Sequence, residues 1–118
     1  MYTFLEPSRA ADFAMDLEQM LNLAETFESS LTQDLKALDE ALVNPDPDPM
    51  RRLLHALKGY VTFLSKDELS SKVIQLEAMS RQSPVDEVRS TVQSVLPALQ
   101  TLLAEVTRWK STELQKQA

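Results

Sequence analysis

Residues 83–109 read SPVDEVRSTVQSVLPALQTLLAEVTRW. Val85, Val88, Val92, Val95, Leu99, Leu102, Val106 and Trp109 recur at steps of three and four without a fault, the spacing of one helix face. Ser83-Pro84 opens the segment, because proline is tolerated in the first turn of a helix. Pro97 lies off the apolar seam, so the pattern predicts one kinked but continuous helix across it rather than two. A seam this regular needs other helices to cover it, and the upstream chain has the right periods to supply them.

Residues 8–43 contain neither Pro nor Gly. Phe13, Leu17, Met20, Ala24, Phe27, Leu31, Leu35, Leu38 and Leu42 again recur at helical steps. Thirty-six residues is long for one helix of a small domain, so a short helix and a longer one are expected, with a bend or break near residues 25–32. Asn44-Pro45-Asp46-Pro47-Asp48-Pro49 stops the pattern, since alternating prolines cannot continue a helix. Asp48 is placed to cap the next helix with Pro49 at its first position, and that helix runs to about Leu64. Ser65-Lys66-Asp67-Glu68 has capping-box spacing. It predicts a further helix that turns Leu69, Val73 and Leu76 inward and ends near Gln82. The tail after Lys110 is polar and is expected to fray. The fold class is therefore all-α: an antiparallel four-helix bundle, with a possible short additional N-terminal helix, in one domain spanning residues 1–118.

Bulk properties narrow the function. The chain of 118 residues has a net charge of −6, one Gly, no Cys and 43% hydrophobic residues. Residues 1–44 carry a net −7, residues 45–75 a net +1, and residues 76–118 balance. An acidic chain without a basic stripe is a poor binder of nucleic acid. Without cysteine there is no disulfide or thiolate metal site, which fits a reducing compartment. The N-terminus has no secretory signal pattern, and no stretch approaches the roughly 20 apolar residues of a membrane span. The expectation is a cytoplasmic protein that contacts neither nucleic acid nor membrane.

The only histidine and the only glycine, His55 and Gly59, fall in the segment LLHALKGYVTFLS, residues 53–65. With His55 at 0° and about 100° per residue, Leu53, Leu57, Tyr60 and Leu64 cluster at about 140–200°, and Met50, Leu54 and Val61 at about 220–260°. That is the core side. Arg51, Arg52, Lys58, Gly59 and Thr62 fall within about 60° of His55, and Phe63 lies near 80°, on the edge. His55 thus points outward among cations. Free imidazole has a pKa near 6.5, so at pH 7 much of it is neutral and nucleophilic. Lys58, one turn on, can pair with an incoming phosphoryl oxygen. Gly59 in a helix interior costs about 1 kcal/mol against alanine, and clearance for a partner is one return on that cost. Close packing of a neighbouring helix is another. An exposed histidine beside a lysine is also an ordinary solvated helix surface, and Phe63 fits either a partly buried core position or a docking surface. The geometry alone leaves both readings open.

The segment LLHALKGYVTFLSKDELSSKVIQLEAMSRQ, residues 53–82, resembles the histidine-containing phosphotransfer (HPt) domain family. The hallmark His-x-Leu-Lys-Gly is met by His55, Leu57, Lys58 and Gly59. Leu64, Leu69, Leu76 and Glu77 fall on later family positions without a gap, and Phe27, Leu35, Leu38 and Leu42 match the upstream apolar spacing. The resemblance covers about residues 20–80, with the last helix agreeing in type. It implies that His55 is a phosphoryl acceptor, through its distal Nε2, in a phosphorelay of two-component signal transduction. It takes the group from a receiver-domain aspartate and passes it to another receiver. Lys58 would balance phosphate charge, Gly59 would give clearance, and Arg51, Arg52, Thr62 and Phe63 would form the docking surface. Partners would be receiver domains of response regulators or hybrid sensor kinases. This chain would bind no cofactor or metal of its own, the Mg²⁺ being expected on the receiver.

Three positions depart from the family pattern. Tyr60 stands where a small residue is usual, Phe63 where a small polar one is, and Ser65 where glycine is. Tyr60 should alter packing, Phe63 should alter which receiver fits, and Ser65 is expected as a helix cap. No Gly-rich phosphate loop or second histidine is present, so a phosphocarrier without its own ATP-binding kinase domain is expected rather than an enzyme. The Met1 start and the complete bundle favour a free-standing protein over a phosphoacceptor domain cut from a chemotaxis-type kinase. A monomer is expected, with the valine-leucine seam of the last helix able to close the bundle or to pair with a second chain. The competing reading is a helical adaptor that binds a receiver or other partner without phosphotransfer.

Overall fold

A computed structural model describes residues 2–14 and 16–114. Four helices form: α1 (Leu17–Val43), α2 (Asp48–Leu64), α3 (Asp67–Gln82) and α4 (Val85–Trp109). Each packs on its chain neighbour and α4 closes back on α1, while the backbones of the diagonal pairs α1/α3 and α2/α4 stay further apart among the described residues. With connections this short, that is an antiparallel up-and-down bundle. It measures 48 × 23 × 21 Å.

The α4 seam behaves as its spacing predicts. Val88, Val92, Val95, Leu99, Leu102, Val106 and Trp109 are buried, Val85 is partly so, and the helix runs unbroken through the exposed Pro97. The seam closes this bundle rather than facing outward. Facing it are Leu31, Leu35 and Leu38 of α1, Leu54, Leu57 and Val61 of α2, and Leu69, Val73 and Leu76 of α3, all in one core.

Four local expectations need correction. First, α1 is continuous across residues 25–32, and the short first helix ends at Asp12, ahead of the α1 start at Leu17. Its apolar face passes through Ala24, Phe27 and Leu31 without a phase change, so nothing there favours a bend. Asp16 fixes the start by accepting the Gln19 N–H at 2.8 Å. The short N-terminal helix is a 3-10 turn, Pro7–Asp12, and Phe13 lies outside any helix with half its surface exposed. Second, Asp48 is inside α2 rather than its cap. Asp46 accepts the Asp48 N–H and Asn44 accepts the Asp46 N–H, each at 3.0 Å, so the side-chain turns begin earlier than expected.

Third, no capping box forms at Ser65, and α3 starts without a side-chain cap. Ser65 is buried, its hydroxyl 2.7 Å from that of Ser70, and its backbone pairs antiparallel with Leu5. The reason is an N-terminal strap, residues 2–14, that lies over the α2–α3 turn. The Glu6 N–H donates to the Leu64 carbonyl and the Lys66 N–H to the Phe4 carbonyl, both at 2.7 Å. The strap's other side is held by Glu105. Its buried carboxylate accepts the N–H groups of Thr3 at 2.5 Å, Phe4 at 2.8 Å and Leu5 at 3.2 Å. Lys66 Nζ caps the Tyr2 carbonyl at 2.7 Å, and Arg9 pairs with Asp67 at 2.5 Å. Fourth, the chain does not fray at once after Lys110 but continues as a π-helical turn, Lys110–Leu114. The rest of the expected frayed tail, like the Met1 start, lies outside the described residues.

Candidate functional site

The α2 sequence places His55 where the helical wheel does. Met50, Leu54, Leu57, Val61 and Leu64 are buried, and the His55 side chain on the opposite face is 79% exposed. The surrounding core holds the helix, so the exposed imidazole sits on a rigid support.

Its nearest partner comes from α3. Glu77 Oε1 lies 3.4 Å from His55 Nδ1, a long hydrogen bond. The same carboxylate places Oε2 3.1 Å from Arg81 Nη2 and 3.6 Å from Lys58 Nζ. Glu77 is 6% exposed at its side chain, whereas its three cationic or ionisable partners reach outward. Burial alone pushes the Glu77 carboxyl up. The His55 hydrogen bond and the charges of Arg81 and Lys58 outweigh it, leaving the carboxyl below the usual 4.5. Glu77 is therefore ionised at neutral pH and accepts from a protonated Nδ1. That tautomer leaves the Nε2 lone pair facing outward.

Of the residues singled out in the sequence, Arg51 and Arg52 border the same hollow as His55, together with Glu77, Ser80 and Arg81. Arg51 is partly committed elsewhere: its Nε donates to the Ser80 carbonyl at 3.0 Å and its Nη1 meets Asp48 at 3.2 Å. Lys58 joins His55 through Glu77. Thr62 donates to the Lys58 carbonyl at 3.1 Å, within its own helix. A Cβ on Gly59 would meet nothing within 4 Å, so no neighbouring helix packs on the glycine and its face is open. Phe63 lies outside the hollow. It is exposed and stacks on Phe13 of the strap, with ring centroids 4.8 Å apart. Tyr60 turns toward the core side, donating to Asp34 at 2.8 Å with its ring edge-on to Phe27.

Sequence reasoning missed Glu77 and Arg81 as parts of the site. One signal was available: Glu77 sits four residues after Val73 and beside Leu76, so it falls on the buried stripe of α3, where a lone carboxylate needs partners. Among the described residues no group of three or more His, Asp or Glu side chains is placed to hold a metal ion.

Comparison with protein families matches the Hpt domain over residues 22–109. That is about three quarters of the chain, and it extends through α4. The strap and the start of α1 lie outside it. Comparisons with curated proteins and with solved structures returned no match.

Proposed function

The chain belongs to the Hpt domain family, and on that premise we propose that His55 is the residue that carries the phosphoryl group in a two-component phosphorelay. Membership itself implies a phosphotransfer role, as a phosphocarrier rather than a catalyst. The observation that carries the assignment to His55 is its geometry: the only histidine is exposed, with Nδ1 turned to the ionised Glu77 and Nε2 left outward.

The transfer follows from that arrangement. The Nε2 lone pair attacks phosphorus in a receiver's aspartyl-phosphate. The P–N bond forms as the acyl P–O bond breaks, and the aspartate leaves as a carboxylate. The ring now carries the phosphoryl group on one nitrogen and a proton on the other. Its positive charge is balanced by Glu77, and Lys58, one turn along α2, would offset charge on the phosphoryl oxygens. Passing the group to a second receiver runs the same steps in reverse. Mg²⁺, needed for the acyl-phosphate chemistry, would sit on the receiver. The reading further proposes a cytoplasmic monomer. No helix among the described residues is long and apolar enough to cross a membrane.

The test is intact mass after mixing the protein with Mg²⁺ and a panel of phosphorylated receiver domains, beside His55→Gln. One acid-labile phosphoryl adduct on the wild type alone supports the reading. A folded wild type that no receiver charges overturns it in favour of a binding-only adaptor.

A further inference from the structure

His55, Gly59 and Phe63 stand at i, i+4 and i+8, one row along the outward side of α2. Gly59 leaves a bare notch in that row. Beyond it, Phe63 and Phe13 stack, 42% and 52% exposed, beside a shallow hollow bordered by Leu23, Phe27 and Tyr60. They are the exposed aromatic residues among the described large hydrophobics.

We propose that the Phe13–Phe63 stack is a selectivity surface for the receiver domain that docks over His55, and that Phe13 is its chain-specific part. The proposal rests on the phosphorelay reading, since a receiver is the occupant. Two arguments carry it. One is continuity. An ordinary interface covers about 800 Å² per partner, a patch of about 16 Å radius. The helix rises about 1.5 Å per residue, so Phe63 lies about 12 Å along α2 from His55. A receiver centred on the imidazole therefore covers the stack. The other is the division of the face. Its His55 end is cationic, bordered by Arg51, Arg52 and Arg81, and suits the phosphoryl anion. Its far end is apolar and suits a hydrophobic patch on the receiver. Phe13 reaches this place because the strap is fastened to the α2–α3 turn and to Glu105. It lies outside residues 22–109 that match the family, so the family pattern does not supply it.

The experiment measures initial transfer rate against receiver concentration, using the receiver from the panel that charges the wild type fastest. Phe13→Ser is expected to raise the half-saturating concentration about fivefold with the maximal rate little changed. Phe13→Leu, which keeps apolar surface, is expected to recover most of the loss. Phe63→Ser should reproduce the Phe13→Ser effect, and circular dichroism should show equal helicity for all variants. Wild-type kinetics in both serine variants overturns this inference while leaving His55 as carrier. A fall in maximal rate alone also overturns it, because docking is then unaffected. Absence of transfer to the wild type from every receiver removes the phosphorelay reading and this inference together.

Discussion

Glu77 Oε1 lies 3.4 Å from His55 Nδ1, bringing a buried carboxylate of α3 against the exposed imidazole of α2, 22 residues away in the chain. The carboxylate is ionised because His55, Arg81 and Lys58 together outweigh its burial. The pair fixes which ring nitrogen faces the partner.

Replacing Glu77 by Gln keeps an acceptor for Nδ1–H but removes the charge that balances a phosphorylated ring. Transfer from a receiver is expected to slow about tenfold, the equivalent of roughly 1.4 kcal/mol, which is the scale of one charge-assisted hydrogen bond. Stability should fall by only about 1 kcal/mol, because the partners are largely solvated. Stopped transfer assays and urea midpoints check both numbers. An unchanged rate would mean that Glu77 is structural only.

Gly59 is helical, has no positive φ, and a Cβ there meets nothing within 4 Å. Gly59→Ala is therefore expected to stabilise the protein by about 1 kcal/mol, seen as a higher urea midpoint at unchanged slope. Gly59→Leu should fold at least as well as the wild type yet transfer poorly, because its side chain fills the notch beside His55. Normal transfer by the leucine variant would remove clearance as the reason for the glycine.

The bundle was legible where the signal is local and repeated. The Val88–Trp109 seam, the proline stop at residues 45–49 and the outward face of His55 each follow from spacing within one element. Glu105 and Ser65 were not legible in the same way. Glu105 serves backbone N–H groups about 100 residues away, and no local pattern marks a side chain that binds a remote strap. Ser65 has the spacing of a cap, but the strap's pairing with the α2–α3 turn takes its backbone and Ser70 takes its hydroxyl. The break expected at residues 25–32 came from helix length alone, and an unbroken apolar face overrides such a prior. Glu77 was visible as a family position, but its role needed the packing of α3 against α2.

Glu28 links α1 to the end of α4 through Lys110 at 2.7 Å and Thr107 at 2.5 Å. The Lys110 hydrogen bond first, then that of Thr107, lower its carboxyl below the usual 4.5. A carboxyl lowered by folding stabilises the native state above its unfolded value and loses that contribution as pH falls through its folded value. The stability gap between wild type and Glu28→Gln should thus be constant near neutrality and shrink below about pH 4.5. Urea midpoints at several pH values check this. A gap that widens on acidification would reverse the assigned direction.

Tyr60 donates its hydroxyl to Asp34, and burial, reinforced by that carboxylate, pushes the phenol far above its usual 10. The tyrosinate absorbance lost in Tyr60→Phe should accordingly be absent from the folded wild type through pH 11 and appear on unfolding in urea at that pH. Ionisation of Tyr60 near pH 10 in the folded protein would contradict the part-buried Asp34 contact. The substitution itself should cost about 1 kcal/mol, the net value of one hydrogen bond.

Glu105 holds the strap by three backbone N–H groups, and Tyr2, Leu5 and Ala10 are buried beneath it. Glu105→Ala leaves those donors without their acceptor, the Leu5 N–H in a buried position, and one buried unsatisfied group costs about 1–3 kcal/mol. Releasing the strap instead exposes its buried apolar side chains and the Ser65 backbone, a loss of similar size. Either route favours detachment of residues 2–14 before the bundle unfolds, because α1–α4 keep their own seams. Hydrogen exchange is the measurement. The amides of Thr3, Phe4, Leu5 and Lys66 should lose protection in Glu105→Ala while those of Leu54, Leu57 and Leu99 retain theirs. Loss of protection throughout would show that the strap and the bundle are one cooperative unit, and full retention would show that Lys66 and Arg9 suffice to hold the strap without Glu105.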